Sequence, residues 1–563
     1  MPEGFMDKKG LLVVAVLVLT LTAASADQTV GLFVNKKDAC EGYTLFAPSY
    51  WYKTYLINNQ GLQVNSWESD HIPGLGGMAY LSDDGCLYRS VLVDTHPVLN
   101  GGGPIDGVQK FAWDGTMVWN FKYVGDTYRP HHDFAVMPSG NVLLNVWEIK
   151  SYAEAIQAGA DKNKLGGKQL FPAYIVEVEP VGPDSGKIVW EWHAWNHLVQ
   201  DYNPSVDNFG PVYNHPERID INAQNFLISD FIHINSVDYN EEFDQILLTS
   251  PMYGEVWVID HSTTTEEARG HTGGNYGKGG DLLYRWGNPR FYDHGDMNDQ
   301  KFFGGHDGNW VDSGCPGAGN IIIFNNGSTR SYSSIDEIVP PVDAAGNYLG
   351  TLPWGPADFV WTYTAPNRYD FFVSIICGAQ RLPNGNTLTC NAPDGEFFEI
   401  TPEGDMVWRY IDPVSDSGPV FQGDSISFNS VFKIRRYAPD YPAFQNKDMT
   451  PGKPVELYPD DTAHTVTDIE YKTNIKLEIR PAIIANSADI HYQLNLPGHV
   501  RIKFYNALGQ EVRTLVDESK SAGRHEVRWN GTDNSGCSLG SGVYFCSFQS
   551  GETSLQKRIV LIK

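Results

Sequence analysis

Short apolar stretches of about four to seven residues, each closed by a turn, recur along nearly the whole chain, while long runs with helical period are almost missing. One phrase returns six times: a turn, a short apolar strand, then a tryptophan with a second aromatic close by. Its copies carry Trp67, Trp119, Trp190 with Trp192, Trp286, Trp361 and Trp408. A second phrase alternates with it, a strand leading through a polar turn into another apolar strand. It opens at Met78, His132, His233, His306 and Gly378. The turns Pro138-Ser-Gly-Asn141 and Pro383-Asn-Gly385 are strong hairpin signals, because Asn and Gly tolerate positive φ. Antiparallel units repeated every 50 to 90 residues or so predict an all-β fold, a six-bladed β-propeller over residues 27–444. The stretch Asn429-Ser-Val-Phe-Lys-Ile434 is expected to supply the last strand and close the ring against the N-terminal region.

Beyond the repeats, residues 445–470 hold Pro, Asp, Thr and Lys without apolar period and read as a linker. Alternation returns in 471–563, through Ile490-His-Tyr-Gln-Leu494, Val500-Arg-Ile-Lys-Phe504 and Ser541-Gly-Val-Tyr-Phe545, and predicts a small Ig-like β-sandwich.

Composition supports the β reading, with 56 Gly, 33 Pro and 13% aromatic residues. A net charge of -27 removes nucleic acid and anionic membrane surfaces as partners, since both require a basic stripe. Residues 1–26 read as a signal peptide: Lys8-Lys9, an apolar run from Leu11 to Leu21, then Ala24-Ser25-Ala26. That run is too short to span a bilayer, so the expected product has no integral membrane segment, passes the periplasm and is secreted or attached to the cell surface. Seven cysteines without Cys-x-x-Cys spacing give no zinc or redox motif, and no metal site is read from the sequence. Cys377 with Cys390, and Cys537 with Cys546, are close enough to staple hairpins, with connectivity left open.

The candidate chemistry centres on Phe303-Gly-Gly-His-Asp-Gly-Asn-Trp310. Glycines give His306 nothing to pack against, which marks it as reactive rather than structural. His132 and His233 open earlier copies of the same phrase, and in a propeller such positions meet at one mouth. His193 and His197, set among aromatics, read as packing residues, and the repeated tryptophans as contacts between blades.

These residues resemble the aryl-sulfate sulfotransferases, exported propellers that move a sulfuryl group between phenols without a nucleotide donor. The likeness is carried by Gly42-Tyr-Thr-Leu-Phe46, Trp190-Glu-Trp-His-Ala-Trp-Asn-His197, Phe231-Ile-His-Ile-Asn-Ser-Val237, Asp281-Leu-Leu-Tyr-Arg-Trp-Gly-Asn-Pro289 and Gly378-Ala-Gln-Arg-Leu-Pro-Asn-Gly-Asn386, among others. It implies that His306 is the nucleophile, that His132 and His233 polarise the sulfuryl oxygens or move the phenol proton, and that no cofactor is needed. Small phenols and aryl sulfates are the implied partners. One departure stands out: where the family carries an arginine, this chain has Pro251 after Ser250. Arg381 and Arg330 are then the candidates for gripping sulfate, with Asn235 and Asp307 as further substrate-binding residues. The alternative is a catalytically silent propeller that binds a sulfated or phenolic ligand. A quinoprotein reading, prompted by Asp184-Ser-Gly-Lys-Ile-Val-Trp190, lacks a quinone and metal site. The C-terminal module resembles type IX secretion sorting domains and the flagellar-hook-cap Ig module, which implies the secretion machinery as a partner.

Overall fold

The computed structural model describes residues 28–458, apart from positions 94 and 227, and most of 477–561. The expected signal peptide, 1–26, lies outside the described residues, as do 459–470 of the expected linker. Two compact units are present, Met1–Asp461 and Thr462–Lys563.

Among the described residues the first unit contains six antiparallel sheets of four or five strands, in chain order. Sheet 1 joins Arg435–Tyr437, Tyr43–Phe46, Lys53–Asn58 and Gln63–Glu68, and sheet 2 joins Ala79–Leu81, Leu87–Val91, Gly107–Phe111 and Met117–Lys122. Sheet 3 runs through Tyr128–Val136, Val142–Glu148, Ala173–Val181 and Ser185–His193, and sheet 4 through Ser236–Asn240, Gln245–Ser250, Glu255–Asp260 and Tyr284–Trp286. Sheet 5 comprises His306–Trp310, Ile321–Asn325, Ser334–Ile338 and Trp361–Tyr363. Sheet 6 comprises Ala379–Arg381, Thr387–Asn391, Glu396–Ile400 and Met406–Ile411, with Gly31–Asn35 added at its outer edge.

Both ends of the unit are thereby tied in. The strand heading sheet 1 is Arg435–Tyr437, not the expected 429–434. That earlier stretch is held instead by loop contacts, Asn429 Nδ2 donating to the Asp394 and Asp412 carbonyls and the Val431 amide to Ala392.

Hydrogen bonds link the first strands of the six sheets in a closed cycle. The Leu81 amide donates to the Tyr437 hydroxyl at 2.8 Å and the Tyr80 hydroxyl to Asp133 at 2.8 Å. The Val237 amide also reaches Asp133 (3.2 Å), the Trp310 amide reaches Asp238 (2.9 Å), and the Ala379 amide reaches Asp307 (3.2 Å). Gln380 and Arg436 return to sheet 1, Gln380 Nε2 donating to the Arg436 carbonyl and the Arg436 amide to Gln380 Oε1.

The tryptophan phrase explains the outer ring. Each copy lies on the fourth strand of its sheet. Its indole N–H then donates to a backbone carbonyl of the next sheet or its loops: Trp67 to Ala112, Trp119 to Ser185, Trp192 to Gly280, Trp286 to Pro356, Trp361 to Pro402 and Trp408 to Asn59. A buried indole needs a partner for its one donor, and the repeat supplies it at every seam.

Part of the expected linker is not a tether. Pro454 pairs with Leu62, Leu457 with Phe421, and Val455 is 5% exposed in the core of the first unit. Apolar side chains spaced one apart, too few to show as a period, are enough to strap this segment down. In the second unit a five-stranded sheet with Gly542–Ser550 at its centre and Gly498–Asn506 beside it, and a three-stranded sheet holding Gly523–Trp529, bring apolar faces together, with Phe504 stacked on Trp529 at 3.9 Å.

Candidate active site

The three sequence-predicted histidines come together. His132 lies in the first strand of sheet 3, His233 just before the first strand of sheet 4, and His306 begins that of sheet 5. The rings of His132 and His233 meet edge to face at 4.7 Å, and Phe432 stands 5.9 Å from His132 and 6.4 Å from His306. His132 and His233 hold φ of 57° and 50°, a left-handed conformation unfavourable for side chains with a Cβ. Strain of this kind persists where surrounding contacts over-determine it, and it gathers at functional sites.

A glycine strap at 101–103 lies over these rings. Its Gly103 has φ of 71° and stands where a Cβ would come within 2.6 Å of the His132 ring, so only glycine fits. His306 is 6% exposed, His132 2%, and the His233 side chain 16%, so the cluster is close to dry.

The partners of each ring fix its tautomer. Asn326 donates both amide hydrogens to the carbonyls of Val373 and Ile376, which leaves its Oδ1 as an acceptor facing His306 Nδ1 at 2.8 Å. The Gly304 carbonyl accepts from the same nitrogen at 3.1 Å. His306 therefore carries its proton on Nδ1 and presents a lone pair at Nε2. Burial, helped by the neighbouring His233, lowers its pKa to about 4 despite these two bonds, so it is neutral near pH 7.

His233 is the charged member. Burial opposes its protonation, but the Asp230 carboxylate at its Nδ1 outweighs burial and raises the pKa above the usual histidine value. His132 is pushed well below that value by burial and by the other histidines. Its Nδ1 lies 2.9 Å from Nδ1 of His131, whose ring stacks on Trp147 and whose buried Nε2 has no partner. An orphaned acceptor costs less than an orphaned N–H, so His131 donates and His132 keeps its proton on Nε2. Asp230, Asn326 and His131 were not read as functional in the sequence. Their signals were there, in Asp230 three positions before His233, in the Asn-Asn-Gly turn after the second strand of sheet 5, and in the His-His pair.

Most of the expected substrate-binding residues lie elsewhere. Asp307 is buried beneath the site, where Lys433 Nζ bridges it to Asp133, and it also accepts from the Ala379 amide. Asp307 has φ of 53° at a break in the register between His306 and Asn309, and the backbone there turns its carboxylate to Lys433 and the Ala379 amide. Asn235 is completely buried and spends its Nδ2 on the Gly305 carbonyl at 3.0 Å, positioning the backbone before His306 rather than touching a ligand. Arg381 sits at the far end of its strand, beside the 382–386 turn, paired with Glu337 and stacked 4.4 Å over Trp361. Arg330 is nearer: its guanidinium lies 5.2 Å from the Phe303 ring, and it donates to Tyr332 and Ser334.

A cleft of about 1030 Å³ beside the cluster is lined by none of the three histidines. It touches the site at Phe303 and Gly304, and Pro251, Met252, Arg290 and Asp220 form other parts of its wall. Burial, with the charges of Asp201 and Asp293, raises Asp220 to about 7.

Comparison with known families decides what this arrangement belongs to. A family model described as Arylsulfotransferase (ASST) matches residues 99–407, which carry all three histidines and their partners. The chain belongs to the arylsulfotransferase family. A second model, the FlgD Ig-like domain, matches 485–553 in the other unit. No curated protein matches the sequence significantly. Solved structures resemble the arylsulfotransferase chain distantly. A protein of unknown function from Bacteroides caccae is 13% identical, with 70% of this chain and 98% of that one covered and a TM-score of 0.37. PorZ, a surface component of the type-IX secretion system of Porphyromonas gingivalis, is 8% identical over 94% of this chain and 51% of its own, with a TM-score of 0.28. A streptogramin B lyase is 11% identical over 74% and 95%, with a TM-score of 0.33. At such scores none of them bears on what the arylsulfotransferase chain does.

Proposed function

We propose that this chain is an exported sulfotransferase, built as a six-bladed propeller followed in sequence by an Ig-like sandwich, that moves a sulfuryl group from an aryl sulfate to a second phenol through a sulfohistidine. The observation that carries the reading is the neutral His306, whose Nε2 lone pair is fixed by Asn326 in a cluster shared with a charged and a proton-bearing imidazole. In the first half-reaction Nε2 attacks sulfur, the S–O bond to the aryl group breaks, and the phenolate leaves as the anion, its oxygen accepting a hydrogen bond from His132 Nε2–H. In the second, the acceptor enters as a phenolate held by the same N–H, its oxygen attacks sulfur, and the N–S bond breaks to restore the lone pair. Splitting one transfer into two steps is the gain of a covalent intermediate. Charge on the three equatorial oxygens needs fixed positive partners, as in phosphoryl transfer. The imidazolium of His233, held charged by Asp230, fills the role that Pro251 has vacated, with the Arg330 guanidinium 5.2 Å from the Phe303 ring.

The test is whether the purified protein releases phenol from a chromogenic aryl sulfate, faster when a second phenol is added. Saturable binding of the ester with no phenol released would leave the silent-binding reading, which the low exposure of His306 and the loss of the arginine favour.

The charge states fix the pH dependence. Activity is expected to rise with pH through about 4, as His306 loses its proton, and to fall again as pH passes the raised pKa of His233. Asp230→Asn removes the carboxylate that holds the second limb up, so that limb should move to lower pH while the acid limb stays. A kcat/KM profile of both proteins checks it.

No helix among the described residues is long and apolar enough to cross a membrane. We further propose that 471–563 directs export through a type IX pathway, supported by the FlgD Ig-like match. Deleting it should strand active enzyme inside the cell envelope, as read by fractionation.

A further inference from the structure

Away from the histidine mouth, at the outer seam between sheets 3 and 4, two imidazoles converge on one carboxylate oxygen. His197 ends the short turn Ala194–His197 that follows the last strand of sheet 3. His271 and Asp281 belong to the loop between the third and fourth strands of sheet 4. Asp281 Oδ1 lies 2.9 Å from His197 Nδ1 and 2.8 Å from His271 Nδ1, and the donor atoms of the three residues lie within 4.8 Å of one another.

The other side of His197 decides how that contact must be read. Its Nε2 is 2.9 Å from the Ala268 carbonyl, which can only accept, so the proton is on Nε2. A neutral His197 then aims an Nδ1 lone pair at a carboxylate, two acceptors facing each other in a buried seam. Something positive has to stand between them, either a second proton or a metal ion. A ligating histidine that donates its other N–H to a backbone carbonyl is the usual outer-shell arrangement of a metal site. The surroundings add rigidity: the Trp192 ring lies parallel to that of His197 with centroids 5.7 Å apart, and the Trp192 indole N–H donates to the Gly280 carbonyl at 2.7 Å.

Access exists as well. His271 is 43% exposed, and it shares with Asp281, His215, Glu217 and Arg218 a second cleft of about 520 Å³. Arg218 Nε stands 3.8 Å from Asp281 Oδ2, on the oxygen that the histidines do not use.

We propose that His197, His271 and Asp281 bind a zinc ion, with water from this cleft as the fourth ligand. Two imidazole nitrogens, one carboxylate oxygen and one open position are a donor set that suits tetrahedral zinc. Ligands at about 2.0–2.1 Å from the metal sit roughly 3.3 Å apart, so the two histidine–carboxylate contacts need open by only about 0.4–0.5 Å, while the two imidazole nitrogens, within 4.8 Å of each other, draw in on the ion. The ion pins the end of sheet 3 to the sheet 4 loop. The chain leaves His197 directly into Leu198–Val199, which pairs with Ile219–Asp220 at the wall of the large cleft. Its role is structural, and it is independent of sulfuryl transfer.

The experiment uses the full, tag-free chain, stripped by chelator and then titrated with zinc chloride. After gel filtration one equivalent of zinc per chain should be retained, and the thermal midpoint should rise by several degrees. His271→Ala, an exposed position that leaves the fold intact, should weaken zinc binding at least 100-fold and abolish the shift. Asp281→Asn should do the same. Substoichiometric zinc on the wild-type chain, or equal retention by the His271→Ala variant, overturns the proposal and leaves a doubly protonated His197 beside Asp281.

Discussion

His306→Ala should abolish sulfuryl transfer, with kcat/KM for an aryl sulfate falling by roughly 10³-fold or more, because the other ring nitrogens of the cluster are protonated or, like Nε2 of His131, completely buried. His132 keeps its Nε2 protonated through the chain of His131, and His233 is held charged by Asp230. Neither can substitute as nucleophile without losing the role it has. The cavity left by the imidazole is small, and the Asn326 amide hydrogens keep their carbonyl partners, so the variant should melt within a few degrees of the parent. Free imidazole added to the variant should restore part of the rate, taking the vacated place and accepting the sulfuryl group in solution. A labelled sulfuryl group should appear on the parent protein after a short reaction and be missing from the variant. Full activity in His306→Ala would rule out its role as nucleophile.

Lys433→Met should be the most destabilising single change near the site. Lys433 is 2% exposed and its ammonium joins Asp133, which follows His132, to Asp307, which follows His306. Burial disfavours the charged amine, yet the two carboxylates outweigh it and raise its pKa far above the usual lysine value. Removing one member of such a cluster leaves buried charge without a counterion, at a cost of about 3–5 kcal/mol. Because Asp133 and Asp307 also accept amide hydrogen bonds from the next sheets, the loss should spread into the ring of first strands. Denaturant unfolding of Lys433→Met, and of Lys433→Met with Asp307→Asn, measures it. The double variant should recover a substantial part of the loss, since it removes one uncompensated carboxylate. A single variant as stable as the parent would mean that the ammonium does not hold the ring.

The local grammar of the chain was readable because strand alternation and turn chemistry act over a few residues. The sheets, the tryptophan on each outer strand, and the three histidines at the openings of successive units could all be found by counting along the sequence. Asp307, Asn235 and Arg381 show where counting fails. Each has the right chemistry and lies near the right motif. Whether it meets a ligand or a buried partner depends on which face of the strand it occupies, and on what the ring brings opposite.

The deciding contacts join positions far apart. Lys433 reaches Asp133 across 300 residues, and Asn326 reaches Val373 and Ile376 across 47 and 50. The same distance hid His197, His271 and Asp281 from one another: His197 and Asp281 stand 84 residues apart in sequence, and nothing in the spacing marks them as a set. Sequence alone thus determined the all-β class, the antiparallel strand units and the imidazoles they carry, since those follow from short-range backbone preference and burial pattern. Tertiary closure alone decided which nitrogen holds a proton, which cation is spent underneath the site and which carboxylate two histidines share, because charge and tautomer are set by neighbours that only the folded ring supplies.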